Sequence, residues 1–141
     1  MAISKLNKKK IIIKDLIIPI SKIPVLGENS MLKEALETMS EYKFGVCFCI
    51  KKNGKLSGML TDGDIRRKIL NVQKPFSALL SDDLALHINR KPIKILLNGS
   101  LQNALKIMKK NLIWDLPVVD KNNKLQGMLH LHPVVKFFLD K

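Results

Sequence analysis

Residues 52–60, KNGKLSGML, return 69 residues further along the chain as KNNKLQGML at 121–129. The same offset joins NSMLKEALETM (29–39) to NGSLQNALKIM (98–108). Two pairs of segments share one spacing, so the copies align without insertions or deletions from the first pair to the second. This indicates that the chain contains two copies of one unit. A chain of 141 residues has room for one domain, or for two small units that share a core.

The first repeated segment predicts an amphipathic helix. Its apolar residues recur at i, i+3, i+4 and i+7, which places them on one helical face. This pattern occurs in both copies, at Leu32, Ala35, Leu36 and Met39 and again at Leu101, Ala104, Leu105 and Met108. Ser30 is the expected N-cap of the first of these helices.

The segments that follow each helix predict a strand, a turn, a second strand and a second helix. The strands are VCFCI and KLSGML in copy one, and LPVVD and KLQGML in copy two. Asn53-Gly54 is a strong signal for a tight hairpin turn, and Asn122-Asn123 occupies the same place in copy two. The second helices are expected to begin near Asp62 and near His132-Pro133.

A short strand is predicted before each first helix, around 24–26 and 93–97. Each copy therefore has the order β-α-β-β-α, and its small sheet has an apolar face that a second copy can cover. The expected fold is α/β (α+β), with the two repeats packed around a pseudo-twofold axis. The predicted organisation is a basic N-terminal segment at 1–14, repeat 1 at 15–75 and repeat 2 at 76–141.

The stretch TDGDIRR, residues 61–67, follows the second strand of copy one. Thr61 is expected to end the strand, and Asp62 to begin the helix as its N-cap. The first amides of a helix are unpaired and carry partial positive charge, which suits phosphate. Asp64 would repel a phosphate placed against it, but a carboxylate accepts hydrogen bonds from a ribose diol. The stretch therefore predicts a nucleotide site rather than a bare anion site.

Gly63 and two arginines complete this candidate site. Gly63 allows the backbone to come close to a ligand. Arg66 and Arg67 lie in the first helical turns. One arginine is expected to reach phosphate, and this role is assigned to Arg66. The other is expected to be a solvated or interface charge. Asp62 and Asp64 are poor candidates for an acid–base pair, because the helix dipole favours the ionised form of both. No catalytic residues are predicted.

The duplicated unit, the LPVVD strand and GMLTDGD at a strand-to-helix junction resemble a CBS-domain pair, also called a Bateman module. The resemblance extends from about Asp15 to Asp140. SGMLTDGDIRRKIL in copy one and QGMLHLHPVVKFF in copy two are similar to the C-terminal module of KpsF/GutQ-type arabinose-5-phosphate isomerases. That family carries T-D-G-D-[LI]-R-R in copy one and H-M-H-D in copy two. Some sugar-phosphate nucleotidyltransferases also carry TDGDIRR, and the His-x-His of copy two favours the isomerases.

Copy two departs from this pattern at the matching junction. His130 stands in the place of Thr61, and Pro133 in the place of Asp64. Proline cannot accept hydrogen bonds from a ribose, but it fits the first position of a helix. One intact nucleotide site and one degenerate site are therefore expected.

Three further residues of copy two are candidates for ligand contact. His130 and His132 are expected to be structural or ligand-contacting histidines, because no nearby carboxylate or cysteine completes a metal site. Trp114, in IWDLP, either stacks on a base or sugar or fills the interface between the copies, and the second is favoured. Asp115 stands where some AMP-binding relatives carry a cation near the phosphates, which argues against a polyphosphate ligand.

Composition narrows the classes of partner. The formal net charge is +13, and it comes mainly from lysine, since the only arginines are Arg66, Arg67 and Arg90. Nucleic-acid binding is disfavoured, because base readout and stacking use arginine clusters and interleaved aromatic residues. No apolar stretch is long enough to span a membrane. In the N-terminal run, Lys14 and Asp15 interrupt the apolar residues, which argues against a signal peptide.

The two cysteines, Cys47 and Cys49, lie two residues apart in a predicted strand. They therefore share one face and are badly placed to bridge each other. Buried, unreactive thiols and a reducing cytoplasm are the expectation.

The resemblance implies a regulatory role. In the isomerase family the chemistry belongs to a separate N-terminal sugar-isomerase domain, which this sequence does not contain. A fragment, an excised piece or a stand-alone regulator, without catalysis of its own, is therefore expected. The implied ligand is an adenosine nucleotide or a CMP-sugar such as CMP-Kdo, with no required cofactor, and the implied assembly is a homodimer or a higher oligomer. The alternative is a structural oligomerisation module that binds no ligand.

Overall fold

The computed structural model describes residues 12–139. The chain divides into two compact units, one formed by residues 20–92 and the other by residues up to 19 together with 93 onward. The described residues form five α-helices, which are α1 (Leu32–Tyr42), α2 (Asp62–Asn71), α3 (Phe76–Leu80), α4 (Leu101–Asn111) and α5 (Leu131–Leu139). They also form seven strands, which are β1 (Ile18–Pro19), β2 (Val25–Gly27), β3 (Val46–Ile50), β4 (Leu56–Thr61), β5 (Ile95–Leu96), β6 (Asp115–Val119) and β7 (Leu125–His130).

The unit formed by residues 20–92 contains a three-stranded sheet in the order β2-β3-β4. Strand β2 is parallel to β3, and β3 is antiparallel to β4, with Val46 opposite Thr61. An isolated antiparallel bridge joins Met59 to Asn89, through hydrogen bonds of 3.1 and 2.8 Å in the two directions. The sheet thus gains one further contact from the segment that precedes β5.

The other unit repeats this plan with a four-stranded sheet in the order β1-β7-β6-β5. Strand β5 is parallel to β6, and β6 is antiparallel to β7, with Asp115 opposite His130. Strand β1, which precedes β2 in the sequence, pairs antiparallel with β7. Each sheet is therefore completed by residues from the first part of the other predicted repeat.

Two glycines of the repeated motif permit this exchange. An added Cβ at Gly58 would meet the carbonyl oxygen of Asn89, and one at Gly127 would meet the carbonyl oxygen of Ile18, both at distances that real Cβ atoms do not show. The glycine in KLSGML and KLQGML is therefore needed because another backbone approaches its Cα.

The first helix of each copy is confirmed, and its stripe forms the core of its own unit. Leu32, Ala35 and Met39 are buried in one cluster, and the matching residues 101, 104 and 108 are buried in the other. The expected cap at Ser30 is wrong. Met31 holds the N-cap position and makes no side-chain cap bond, because the helix begins one residue later than the sequence suggested.

The hairpin turns are confirmed in both copies. Gly54 has φ 85° and its amide donates to the carbonyl of Lys51, as in a three-residue hairpin loop that ends in a left-handed residue. Asn123 has φ 64° at the equivalent turn, which asparagine tolerates better than most residues.

The mixed α/β class is confirmed, while two of the short strands differ slightly from prediction. The strands expected at 24–26 and 93–97 are observed at Val25–Gly27 and Ile95–Leu96. Helix α3 and the 3-10 helices Ile13–Asp15, Ile20–Lys22 and Leu84–Leu86 were not predicted. The repeat boundaries and the pseudo-twofold packing stay predictions.

Candidate functional site

The junction between β4 and α2 is held by a reciprocal pair of hydrogen bonds. The Thr61 hydroxyl accepts from the Asp64 amide at 3.2 Å, and the Asp64 carboxylate accepts from the Thr61 amide at 2.9 Å. This is a capping box, with Thr61 at the N-cap and Asp64 at the third helical position. The prediction that Asp62 is the N-cap is wrong, because Thr61 keeps an extended backbone and its hydroxyl is the group that reaches the helix amides.

Asp62 instead occupies the first helical position. Its amide donates to the carbonyl oxygen of Gly45 at 3.0 Å. An added Cβ on Gly45 would lie 2.6 Å from a carboxylate oxygen of Asp62, so the exposed Asp62 side chain would have to turn away. The Asp62 side chain is exposed.

Arg67 forms an ion pair with Asp64 that sequence reasoning did not predict. Nη2 of Arg67 donates to Oδ1 of Asp64 at 2.8 Å, while Oδ2 of Asp64 accepts from the Thr61 amide. The Arg67 side chain is 59% exposed and that of Asp64 28%. An added Cβ on Gly63 would lie 3.2 Å from Nη1 of Arg67, so the guanidinium lies beside Gly63. The i,i+3 spacing was the available signal for this pair.

A cavity of about 340 Å³ lies next to this junction, within the unit formed by residues 20–92. Asp64, Arg67 and Lys68 line one side of it from α2. Residues 86–89 line another part. Arg66 is exposed and does not line the cavity, so the arginine next to the candidate site is Arg67 rather than Arg66.

Asp82, Lys74 and His87 form a cluster that anchors the segment 86–89. Nε2 of His87 is 2.8 Å from Oδ2 of Asp82, and Nζ of Lys74 donates to the same carboxylate oxygen at 2.7 Å. The hydrogen bond from Lys74, and next that from His87, hold the pKa of Asp82 below its usual range. The His87 side chain is only 8% exposed, and its Nδ1 is buried without a hydrogen-bond partner among the described residues. These contacts fix the segment that carries His87 into the cavity wall.

The matching junction of copy two, between β7 and α5, has the same backbone and different side chains. The Leu131 amide donates to the carbonyl of Trp114 at 2.7 Å, in the way that Asp62 bonds to Gly45. Nδ1 of His130 is 2.6 Å from Oδ1 of Asp115. These two side chains are 28% and 16% exposed, so a half-buried His–Asp pair stands where copy one has Thr61 opposite Val46.

Other candidates of copy two are accessible. Trp114 is 68% exposed, so its indole is not a core side chain. Both of its expected roles, stacking on a base or sugar and filling the interface between the copies, stay predictions. His132 is exposed. Pro133 is the third residue of α5 and not the first, because the helix already begins at Leu131. Its missing N–H is still harmless there, because the first four amides of a helix have no partner within the helix.

The candidate residues fall into two groups. Thr61, Asp62, Gly63, Asp64 and Arg66 belong to the unit of residues 20–92, whereas Trp114, His130 and His132 belong to the other unit. Sequence reasoning missed the contacts of Arg67 and the pairing of Asp115 with His130. The second contact follows from the hairpin register, which places the two residues opposite each other.

The remaining chemistry of the described residues is limited. Cys47 and Cys49 are buried thiols, as predicted. Burial, and next the neighbouring thiol, raise the pKa of Cys47 to about 12, and burial followed by Glu28 raises that of Cys49 to about 11. Residues 12–139 contain no group of three or more His, Cys, Asp and Glu side chains placed to hold a metal ion. None of their helices has the length and hydropathy of a membrane span.

Comparison with known families gives a match to the CBS domain at residues 13–71 and 82–138. An uncharacterized protein of Helicobacter pylori strain J99 is 32% identical over 136 residues, which is 95% of this chain and 40% of that protein. The chain thus spans about two fifths of the length of such curated relatives.

Two solved structures show how closely the fold is shared. The chain superposes on CBSX2 in complex with AMP with a TM-score of 0.79 and 25% identity, covering 91% of this chain and 96% of that one. A CBS domain-containing protein of unknown function from Bacillus anthracis gives a TM-score of 0.83 at 20% identity, covering 97% and 99%.

Proposed function

The chain belongs to the CBS-domain family, and from that premise we propose that it is a non-catalytic regulatory pair that senses a nucleotide at the Thr61–Asp64 junction. Support comes from CBSX2, a protein of the same fold and 25% identity whose structure contains AMP. A regulatory part needs a ligand site but no converging acid–base pair. The Thr61–Asp64 junction offers hydrogen-bonding and charged groups that could hold such a ligand.

The observation that carries the proposal is the placement of Asp64 in the wall of a cavity that α2 also lines with two cationic side chains. Arg67 and Lys68 line the same 340 Å³ space. A carboxylate suits the two hydroxyls of a ribose, and a guanidinium suits a phosphate. The volume is at the lower end of the range for small-molecule sites. A nucleoside monophosphate combines both chemistries at the size that the cavity offers.

The identity of the base and the wider context are finer parts of the proposal. An adenosine nucleotide is favoured by the AMP in CBSX2. A CMP-sugar such as CMP-Kdo follows from the resemblance of TDGDIRR and HLH to arabinose-5-phosphate isomerases, and that resemblance alone supports a role as the regulatory part of such an enzyme. We place the protein in the reducing cytoplasm, in keeping with two cysteines that are both buried thiols.

A thermal-shift panel tests the proposal. A ligand that binds only the native state adds about 2.7 kcal/mol at a hundredfold excess over its dissociation constant. For a chain of this size that corresponds to a rise in melting temperature of about 5–10 °C. AMP, ADP, ATP, CMP and CMP-sugars at millimolar concentration should include at least one ligand with such a rise, and inorganic phosphate should not reproduce it.

The matched variant for this panel is Asp64→Ala, in which the rise should vanish. A panel with no shift, or a shift of equal size from inorganic phosphate, would rule out nucleotide sensing. Turnover of arabinose 5-phosphate by the purified chain would contradict the non-catalytic assignment.

A second candidate function is oligomerisation without a ligand. Large apolar side chains are exposed at the end of α2 and the start of α3, namely Leu70 at 74%, Phe76 at 55% and Ile69 at 46%. Contiguous exposed apolar surface is typical of protein–protein contacts, and Ile69 and Leu70 are neighbours in α2. Light scattering after gel filtration should give at least a dimer mass, and Leu70→Glu with Phe76→Glu should reduce it. A dimer that responds to no nucleotide would favour this function over sensing.

A further inference from the structure

We infer that Arg67 makes the proposed site selective for phosphorylated nucleosides, because it occupies the ribose-binding carboxylate until a phosphate draws it away. The inference rests on the proposed nucleotide function of the Thr61–Asp64 junction. It adds a mechanism of selection and a residue, Arg67, that the sequence assigned to no ligand.

Both carboxylate oxygens of Asp64 have hydrogen-bond partners within the chain. Oδ2 accepts from the Thr61 amide at 2.9 Å, and Oδ1 accepts from Arg67 at 2.8 Å. The first bond is part of the capping box and is needed to begin α2. A ribose diol that approaches Asp64 must therefore compete with the guanidinium of Arg67.

The ion pair between Arg67 and Asp64 is weak enough for Arg67 to leave it. Its side chain is 59% exposed, and it pairs with Asp64 across one helical turn. Exposed pairs of this kind contribute little to stability, because water screens the charges and two long side chains lose freedom. A phosphate offers the guanidinium a charge-assisted, bidentate partner, which is the stronger of the two interactions. The exchange of Asp64 for phosphate is thus favourable for Arg67.

Arg67 lies close to the residues that would hold the ribose. Arg67 and Lys68 line the same cavity as Asp64, so a phosphate bound to Arg67 stays within reach of the residues that would hold the ribose. The guanidinium lies beside Gly63, where an added Cβ would be 3.2 Å from Nη1 and 3.3 Å from Nη2. The exposed guanidinium therefore lies close to the backbone at the start of α2 and has room to move away from it.

Copy two has different residues at the positions of Asp64 and Arg67. The 69-residue offset places Pro133 at the position of Asp64 and Lys136 at the position of Arg67. Proline has no carboxylate, so this pair cannot form at the second junction. Lys136 is exposed on α5 and carries the same charge as Arg67. It therefore provides a control for the loss of one positive charge.

Calorimetric titration with AMP and with adenosine tests the inference in the wild type, Arg67→Gln and Lys136→Gln. The wild type and Lys136→Gln should prefer AMP by about 100-fold or more, because charge-assisted bonds to phosphate are added and Asp64 is released. In Arg67→Gln the preference should fall below about 10-fold, because AMP binds more weakly and adenosine several-fold more tightly than in the wild type. Tighter binding of adenosine is the decisive sign, since a residue that only contacts phosphate would leave adenosine unaffected.

The outcomes separate the inference from the function on which it rests. If the wild type binds neither AMP nor any other nucleotide, the proposed function fails and the inference fails with it. If the wild type binds AMP but Arg67→Gln keeps the wild-type preference, or loses AMP without gaining adenosine, only the inference is overturned. Arg67→Lys, which keeps the charge and loses the planar fork, should give an intermediate preference. Ligand-free melting of each variant checks that it is folded.

Discussion

The junctions at Thr61 and at His130 have the same backbone and opposite side-chain chemistry. In each, the first amide of the helix donates to a carbonyl at the start of the neighbouring strand, from Asp62 to Gly45 at 3.0 Å and from Leu131 to Trp114 at 2.7 Å. Copy one then adds a capping box and an ion pair, whereas copy two adds a His–Asp pair and a proline. The repeat therefore preserves the path of the chain, whereas the side chains at the two junctions differ, and our proposal assigns ribose binding to the Thr61 junction.

The largest expected effect is on nucleotide affinity, and it differs between the two junctions. Asp64→Ala should weaken nucleotide binding by about 100-fold or more, because the carboxylate proposed to hold the ribose is lost, a change of about 2.7 kcal/mol. Pro133→Ala should change it by less than about twofold, because proline offers no hydrogen bond to a ribose. Calorimetry on both variants measures the two effects. Equal losses in the two variants would contradict the assignment of binding to copy one alone.

The next effect tests what the two copies share. Gly58→Ala and Gly127→Ala should each lower the free energy of unfolding by about 1–3 kcal/mol, the usual result of forcing atoms into a packed site. The reason is the close approach of the Asn89 and Ile18 carbonyls. Gly27→Ala is the matched control, since nothing lies within 4 Å of its added Cβ. Urea denaturation that gives all three variants the same midpoint would show that the strand exchange does not constrain these glycines.

A smaller effect distinguishes the first helices of the two copies. The Ser100 hydroxyl accepts from the Asn103 amide at 3.1 Å, whereas Met31 at the N-cap of α1 makes no side-chain cap bond. Ser100→Ala should therefore cost about 1 kcal/mol of stability. Met31→Ser should stabilise the chain by a similar or smaller amount, because it supplies the missing acceptor. Chemical denaturation of both variants checks the two signs, and a loss in Met31→Ser would mean that the exposed methionine makes a contact worth more than a cap.

The smallest expected effect concerns pH. Hydrogen bonds from Lys74 and then His87 lower the pKa of Asp82 in the folded chain. A lowered pKa adds stability above the unfolded value, near pH 4, and this addition is lost as the pH falls through the folded pKa. The stability difference between wild type and Asp82→Asn should therefore be present at pH 7 and should shrink below about pH 4. Urea midpoints measured from pH 7 to pH 3 test this, and a difference that grows on acidification would contradict the assigned sign.

Much of the fold could be predicted because the repeat and the apolar stripe are local patterns. The helices at Leu32 and Leu101 and the turns at Gly54 and Asn123 all follow from spacing or from a single residue type. The segments around Ile18 and Asn89, each of which pairs with the sheet of the other repeat, could not be matched to each other from the sequence. Ile18 pairs with Met128, while Asn89 pairs with Met59. These pairings correspond to a spacing two residues longer than that of the main repeat, so the symmetry is not visible in the sequence.

The candidate site was predicted in part. TDGD placed the junction correctly, since the match between strand end and helix start is local. The capping role of Thr61 and the pairing of Arg67 with Asp64 depend on where the helix begins, and a shift of one residue moved the cap from Asp62 to Thr61. The cavity wall at 86–89 comes from a distant part of the sequence, and no single residue there indicates contact with Asp64.

The number of nucleotides bound by one chain tests the difference between the two junctions most directly. Calorimetric titration of the wild-type chain, with the nucleotide that gives the largest thermal shift, measures that number without any substitution. One nucleotide per chain is the predicted result, because only the Thr61 junction has a carboxylate at the position of Asp64. Two equivalent nucleotides per chain, or one that persists unchanged in Asp64→Ala, would contradict it.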